Sequence, residues 1–149
     1  MSNFDFLEIP ELTVDRVVPG EGTTDDIDVD CRIADEGGRC PICHRVSTRV
    51  HSEYLRVIQD VPVSGRTVWL HLRVRKFFCT NDACQLKIFR EPLAFVTGSS
   101  RRTDRLNETI LHMVSHLSAN SSVKVLHEFG IQVHKSSICN LLTANRAKS

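Results

Sequence analysis

Four of the six cysteines fall in two close pairs, Cys40-Pro41-Ile42-Cys43 and Cys79-Thr80-Asn81-Asp82-Ala83-Cys84, with 35 residues between them. No other feature of the chain constrains its fold as tightly. A Cys-x2-Cys or Cys-x4-Cys loop is a tight turn, or knuckle, that points both sulfurs inward. Two knuckles supply the tetrahedral four-thiolate shell that Zn²⁺ prefers, with Zn–S near ~2.3 Å. Such a shell leaves no open position for water, so the metal is expected to be structural rather than catalytic. A redox dithiol needs only one pair, and the second pair weighs against it. An iron–sulfur site would use the same ligand type, but two separated knuckles on a β framework favour zinc. His44 follows Cys43 directly and reads as a surface residue beside the knuckle, because four Cys already suffice. Cys31, within the Val29–Ile33 strand, and Cys139, in the last helix with no second Cys nearby, read as small apolar residues.

The hydrophobic pattern around the knuckles is that of strands. Leu12–Val18 and Ile27–Ile33 read as two strands, the second alternating apolar and polar residues, with Pro19-Gly20-Glu21-Gly22 breaking the pair. A β-hairpin is the simplest connection. Further on, Val68, Leu70, Leu72 and Val74 alternate with Trp69, His71, Arg73 and Arg75 in a strand Thr67–Phe78, preceded by a turn at Val63-Ser64-Gly65-Arg66. One face of that strand is apolar. The other carries bases and aromatics, either to grip nucleic acid or as a solvated face with Trp69 covering the core.

After about Ser99 the period changes from two to 3.6. Leu106, Ile110, Met113, Val114 and Leu117 make an amphipathic helix that Thr103 or Asp104 can cap. Ser118–Ser122 is a break that also supplies a cap. Val123, Leu126 and Phe129 make a short second helix ending at Gly130, and Ile131-Gln132-Val133 is a turn. Ser136–Arg146 is a third helix with Ile138, Leu141 and Leu142 inward. Helix, Gly-containing turn, helix, preceded by another helix, is the plan of a helix-turn-helix. A plain three-helix packing unit is the alternative. In the first reading His134, Lys135, Ser136, Ser137 and Asn140, at the start of the third helix, reach base edges. Arg101, Arg102 and Arg105 suit phosphate contact, as do Arg73, Arg75 and Lys76 on the strand.

The formal charge of +1 conceals an asymmetry: residues 1–30 hold nine acids and one base, whereas residues 31–149 hold 18 bases and nine acids. An acidic arm on a basic body points to a polyanion partner, although a solvated surface with scattered charge fits equally well. The 149 residues suit one domain or two small ones, and 41% hydrophobic residues can build a modest core. No apolar run approaches the ~20 residues of a membrane-spanning helix. The start, Met1–Pro10, lacks the order of a secretory signal. Cytoplasmic thiols or metal ligands are therefore expected rather than disulfides. No nucleophile–base motif or phosphate-cradling Gly loop is evident, so the chain by itself is not expected to be an enzyme. His112 and His116, at helical spacing, read as surface residues.

The run Cys40-Pro41-Ile42-Cys43-His44, then Arg56–Arg66, Leu70–Cys79, Cys84 and Ile88-Phe89-Arg90-Glu91, resembles the amino-terminal zinc-binding region of bacterial insertion-sequence transposases of the ISL-three family. Gly130–Ile138 resembles the family's helix-turn-helix turn, with His134 where Ser is usual and Ser137 where Thr is usual. The likeness covers residues from about 27 to about 145. It implies binding to double-stranded DNA at transposon terminal repeats, with nucleoid association in a bacterial cytoplasm, and a homodimer among the assemblies. In the family a ribonuclease-H-like domain with an Asp-Asp-Glu triad follows, and here the chain ends near where that domain would begin. The expectation is therefore the non-catalytic part of a transposase.

The expected fold class is α+β, divided as an acidic β-hairpin arm (1–39), a zinc-ribbon domain (40–98) and an all-α three-helix helix-turn-helix domain (99–149). Cys40, Cys43, Cys79 and Cys84 hold one structural Zn²⁺. The alternative function is a zinc-ribbon protein-interaction or regulatory module without specific DNA binding.

Overall fold

The computed structural model describes residues 9–19 and 26–148. The order of elements is β1 (Leu12–Pro19), β2 (Ile27–Ile33), β3 (Gly38–Arg39), β4 (Val46–Ser47), β5 (Val50–Val63), β6 (Arg66–Phe78), β7 (Ile88–Arg90), α1 (Asp104–Val114), α2 (Ala119–Glu128) and α3 (Lys135–Lys148). Strands come first and helices last, as the α+β expectation required.

The main sheet has the order β1-β2-β6-β5, with β7 also paired to β6, and β3 and β4 form a separate two-stranded sheet. Arg16 pairs with Asp30 and Arg32 with Asp15, both at 3.2 Å. Positions that rise along β1 therefore fall along β2, which is antiparallel pairing. The break expected at Gly20-Glu21-Gly22 lies outside the described residues, as do Asp5, Glu8 and Asp25 of the acidic arm. The alternation in β6 is borne out: Val68, Leu70, Leu72 and Val74 are all 0% exposed. Between β5 and β6 the chain turns at Ser64 (φ 51°) and Gly65 (φ 76°). Two successive left-handed residues match the twist of paired strands.

The described residues fall into two compact units, one from residues 9–17, 29–57 and 70–94, the other from 18–19, 26–28, 58–69 and 95–148. Strands β5 and β6 thus give residues to both. One buried cluster of the first unit lies at the knuckles: Cys40, Phe77, Cys84 and Phe89, with Cys43, Cys79 and Leu86 packed against them. The Phe77 and Phe89 rings stack 5.7 Å apart, and Phe77 lies so close to Gly38 that a Cβ there would meet ring carbons at 2.7 and 2.8 Å.

The core of the second unit joins Leu106, Ile110, Val114, Leu126, Ile131, Val133 and Ile138, with Val61 of β5 against it. Thr103 caps α1, its hydroxyl accepting the Leu106 N–H at 3.3 Å. Ser118 caps α2 in the same way, so that helix starts within the stretch expected to be a break. Two apolar positions differ from expectation. Leu117 follows the end of α1 and Phe129 is the C-cap of α2, and both are exposed. The apolar burial that a longer helix would have used comes instead from Ile131 and Val133 in the turn. That turn is fastened to the β5–β6 hairpin. The Gln59 side chain donates to the Gln132 carbonyl and accepts the Gln132 N–H, each at 2.8 Å, and the Thr67 hydroxyl donates to the Gly130 carbonyl at 2.8 Å. Gly130 has φ 89°, and a Cβ on it would fall 2.6 Å from the Gly65 carbonyl oxygen.

Candidate metal centre and cationic surfaces

Each knuckle hangs from a short antiparallel pair. Strands β3 and β4 pair Gly38 with Ser47 and Arg39 with Val46, and Cys40–Arg45 closes the loop between them. The Cys40 N–H donates to the Arg45 carbonyl at 3.0 Å and the His44 N–H to the Cys40 carbonyl at 2.9 Å. His44 takes φ 65° to complete the turn, and it is exposed, as expected. In the second knuckle the Cys79 N–H donates to the Lys87 carbonyl at 2.8 Å, and the Asn81 side chain accepts the Ala83 N–H at 3.0 Å in an Asx turn. The buried Ser47 hydroxyl donates to the Phe78 carbonyl at 2.6 Å, tying the first knuckle's strand to the strand that carries the second.

The ligand atoms of Cys40, Cys43, Cys79 and Cys84 all lie within 4.8 Å of one another. Cys40 and Cys84 sulfurs are 3.9 Å apart, and those of Cys43 and Cys79 are 3.6 Å apart. A regular tetrahedron with Zn–S bonds of ~2.3 Å has S···S edges of about 3.8 Å, whereas a disulfide would need ~2.05 Å. The sulfurs match the first spacing. The donor set thus fits one structural zinc ion, and among the described residues it is the one cluster of three or more such groups.

The thiols differ in acidity. The Arg45 backbone N–H, then the Asn81 side chain and the Cys79 and Cys40 thiols, outweigh burial and hold Cys43 down at about 6. At Cys79 the Asn81 backbone N–H likewise lowers the pKa, but burial and the neighbouring Cys43, Cys40 and Cys84 thiols outweigh it and push Cys79 up to about 12. Like-charged sulfurs this close do not ionise together in the absence of a cation. The metal supplies the positive charge that lets all four be thiolates. Cys31 is buried, as expected. Cys139 is exposed, contrary to the apolar reading, because its position on α3 faces away from the core that Ile138 enters.

The cations expected to meet DNA have different surroundings. Arg73 is exposed. Arg75 is held by Glu91 through an ion pair, and it also donates to the Glu36 and Asp35 carbonyls at 2.9 and 2.6 Å. Its guanidinium lies 4.8 Å over the Phe77 ring, and the Glu91 hydrogen bond raises its pKa against burial. Lys76 lies 5.6 Å over the Tyr54 ring. Arg101 is exposed, while Arg102 is half-buried, donates to Asn107 at 2.8 Å, and has its pKa lowered by burial. Arg105 donates to both oxygens of Asp60, Nε to Oδ1 at 2.9 Å and Nη2 to Oδ2 at 2.5 Å. On α3 and just before it, His134, Lys135, Ser136 and Asn140 are exposed and Ser137 is half-buried. Trp69 is half-buried, its indole N–H donating to Asp26 at 2.9 Å. The expected histidine pair, His112 and His116, is exposed with ring centroids 5.6 Å apart. Asp60 and Gln59, which hold the helical unit in place, were not singled out by the sequence; their one signal was polar residues where β5 becomes buried.

Residues 36–84 match the family described as zinc-finger of transposase IS204/IS1001/IS1096/IS1165, a segment that contains all four clustered cysteines. No curated protein and no solved structure matches the chain. The matched segment is thus similar to a transposase zinc ribbon. Among the described residues no helix is long and apolar enough to cross a membrane.

Proposed function

We propose that this chain is a DNA-binding portion of a transposase, holding one structural Zn²⁺ and recognising duplex DNA at element ends through its helices. The observation that carries this reading is the transposase-type zinc ribbon at residues 36–84, with its four sulfurs gathered for one ion. Three further features support it. The helices α1, α2 and α3 share one core and have a left-handed Gly130 in the turn before α3. The first residues of α3 leave Lys135, Ser136 and Asn140 exposed, where a recognition helix meets base edges. Residues 31–149 carry a formal +9, the sign that attracts a phosphate backbone. In this reading the domains are a 1–39 arm, a 40–98 ribbon and a 99–149 helix-turn-helix, the protein works in the bacterial nucleoid, and two copies bring two ends together.

A gel-shift titration with the zinc-loaded chain tests it, using duplexes that carry the terminal repeats of a cognate element and scrambled duplexes of equal composition. Tighter binding to the repeats supports the proposal. Equal, weak binding to all sequences favours instead an interaction module, a reading for which the exposed Leu55 and Val57 on β5 would offer a surface. No shift at low salt rejects DNA binding.

A further inference from the structure

We propose that the face of β6 and β7 next to the zinc knuckles grips the phosphate backbone of duplex DNA through Arg49, Lys76 and Arg90. This rests on the DNA-binding reading above and adds to it a contact surface outside the helices. Arg49 and Arg90 were not among the residues expected to meet DNA.

Charge is the first observation. Residues 37–52 and 76–90 carry six bases (Arg39, Arg45, Arg49, Lys76, Lys87 and Arg90) against a single acid, Asp82. A zinc tetrathiolate contributes −2, so this end of the ribbon stays positive with the metal bound. Placement is the second. Lys76 pairs with Arg90 and Phe78 with Ile88 in the antiparallel register of β6 and β7. Directly opposed residues put their side chains on the same face, and positions two apart continue it. Lys76, Arg90, Phe78 and Ile88 therefore share one face, opposite the Phe77–Phe89 stack of the core. The Arg49 guanidinium lies 4.9 Å over the Phe78 ring, which brings it to that face.

Partnering is the third observation. Among the described residues none of Arg49, Lys76 and Arg90 has a carboxylate partner, whereas Arg16, Arg32 and Arg75 of the same unit each have one. Clustered unpaired cations repel one another, and a polyanion relieves that repulsion. The aromatic neighbours decide which part of the nucleic acid is met. One face of Phe78 is covered by Arg49, and His51 meets the ring at 5.0 Å in an edge contact. The ring is thus not a free platform for an unstacked base. It packs against the guanidinium carbon, a contact that leaves guanidinium N–H donors for phosphate oxygens. Backbone contact of this kind positions a protein without reading sequence.

The test compares the zinc-loaded chain with the triple variant Arg49→Gln, Lys76→Gln, Arg90→Gln, which keeps side-chain bulk over Phe78 and Tyr54. Binding to a 30-base-pair duplex of arbitrary sequence is measured between 50 and 200 mM salt. Each phosphate contact adds about 0.9 to the slope of log K against log salt, so three contacts add about 2.7. The advantage of the unmodified chain over the variant should then shrink about 40-fold across that salt range. The double variant Lys76→Gln, Arg90→Gln leaves Arg49 on Phe78 and should lose about two-thirds of the effect if the triple fails to fold. Equal slopes and affinities in a chain that binds DNA overturn this surface but leave the helical reading intact. No binding by the unmodified chain overturns both.

Discussion

Arg105→Ala separates an internal arginine from a DNA-facing one. The Asp60 carboxylate is 0% exposed and accepts three hydrogen bonds, from Arg105 Nε at 2.9 Å, Arg105 Nη2 at 2.5 Å and the Thr103 hydroxyl at 2.8 Å. Truncating Arg105 leaves a buried charge with one neutral donor. Breaking a buried ion pair from one side costs ~3–5 kcal/mol. The Arg105 side chain is 31% exposed, so water can enter the space it vacates, which places the cost at the lower end, about 3 kcal/mol. Asp60 lies on β5 and Thr103 caps α1, so the loss falls on the attachment of the helices within their unit. In urea the midpoint of the helical circular-dichroism transition should fall by about 1.5–2 M, taking a slope of about 1.5–2 kcal/mol per M. Replacing both partners together, Asp60→Leu with Arg105→Met, should recover much of the loss, because no unpaired charge is then buried. The salt slope of DNA binding by the folded Arg105→Ala protein should be unchanged. An unmoved midpoint together with a flatter slope would refute the reasoning and make Arg105 a phosphate contact.

Other substitutions probe the remaining parts of the account. Cys79→Ser should abolish stoichiometric zinc binding and remove the amide-exchange protection of β3, β4 and β7, because a four-residue aromatic and cysteine core cannot hold the knuckles without the metal. Gly130→Ala should lower stability by about 2 kcal/mol in urea titration, since its φ of 89° strains any L side chain and the new methyl would collide with the Gly65 carbonyl. Asn140→Ala should reduce discrimination between element-end and scrambled duplexes by about 1–3 kcal/mol in gel shifts while leaving the salt slope unaltered.

Much of this architecture could be read before any coordinates, and the parts that could not share a cause. Spacing placed the four sulfurs together because the constraint is local within each knuckle and the metal supplies the long-range link. The period-two run in β6 and the 3.6 period in α1 each reported one buried face, and the structure buries those faces. Helix ends were less legible. Leu117 and Phe129 extend the apolar period past the last helical residues, Val114 of α1 and Glu128 of α2, where cap geometry rather than hydrophobicity decides. The fate of the cations was hidden for a different reason. Arg75 and Arg105 find Glu91 and Asp60 at sequence separations of 16 and 45 residues, and no composition or periodicity reports a pairing at such range. The same holds for Gln59, which meets Gln132 across 73 residues.

One ion held by Cys40, Cys43, Cys79 and Cys84 organises the ribbon, and elemental analysis of the freshly purified folded chain would detect it. One zinc per chain is expected, falling to near zero in the Cys79→Ser protein. A folded chain with less than about a tenth of an equivalent of zinc, or iron in its place, would contradict it.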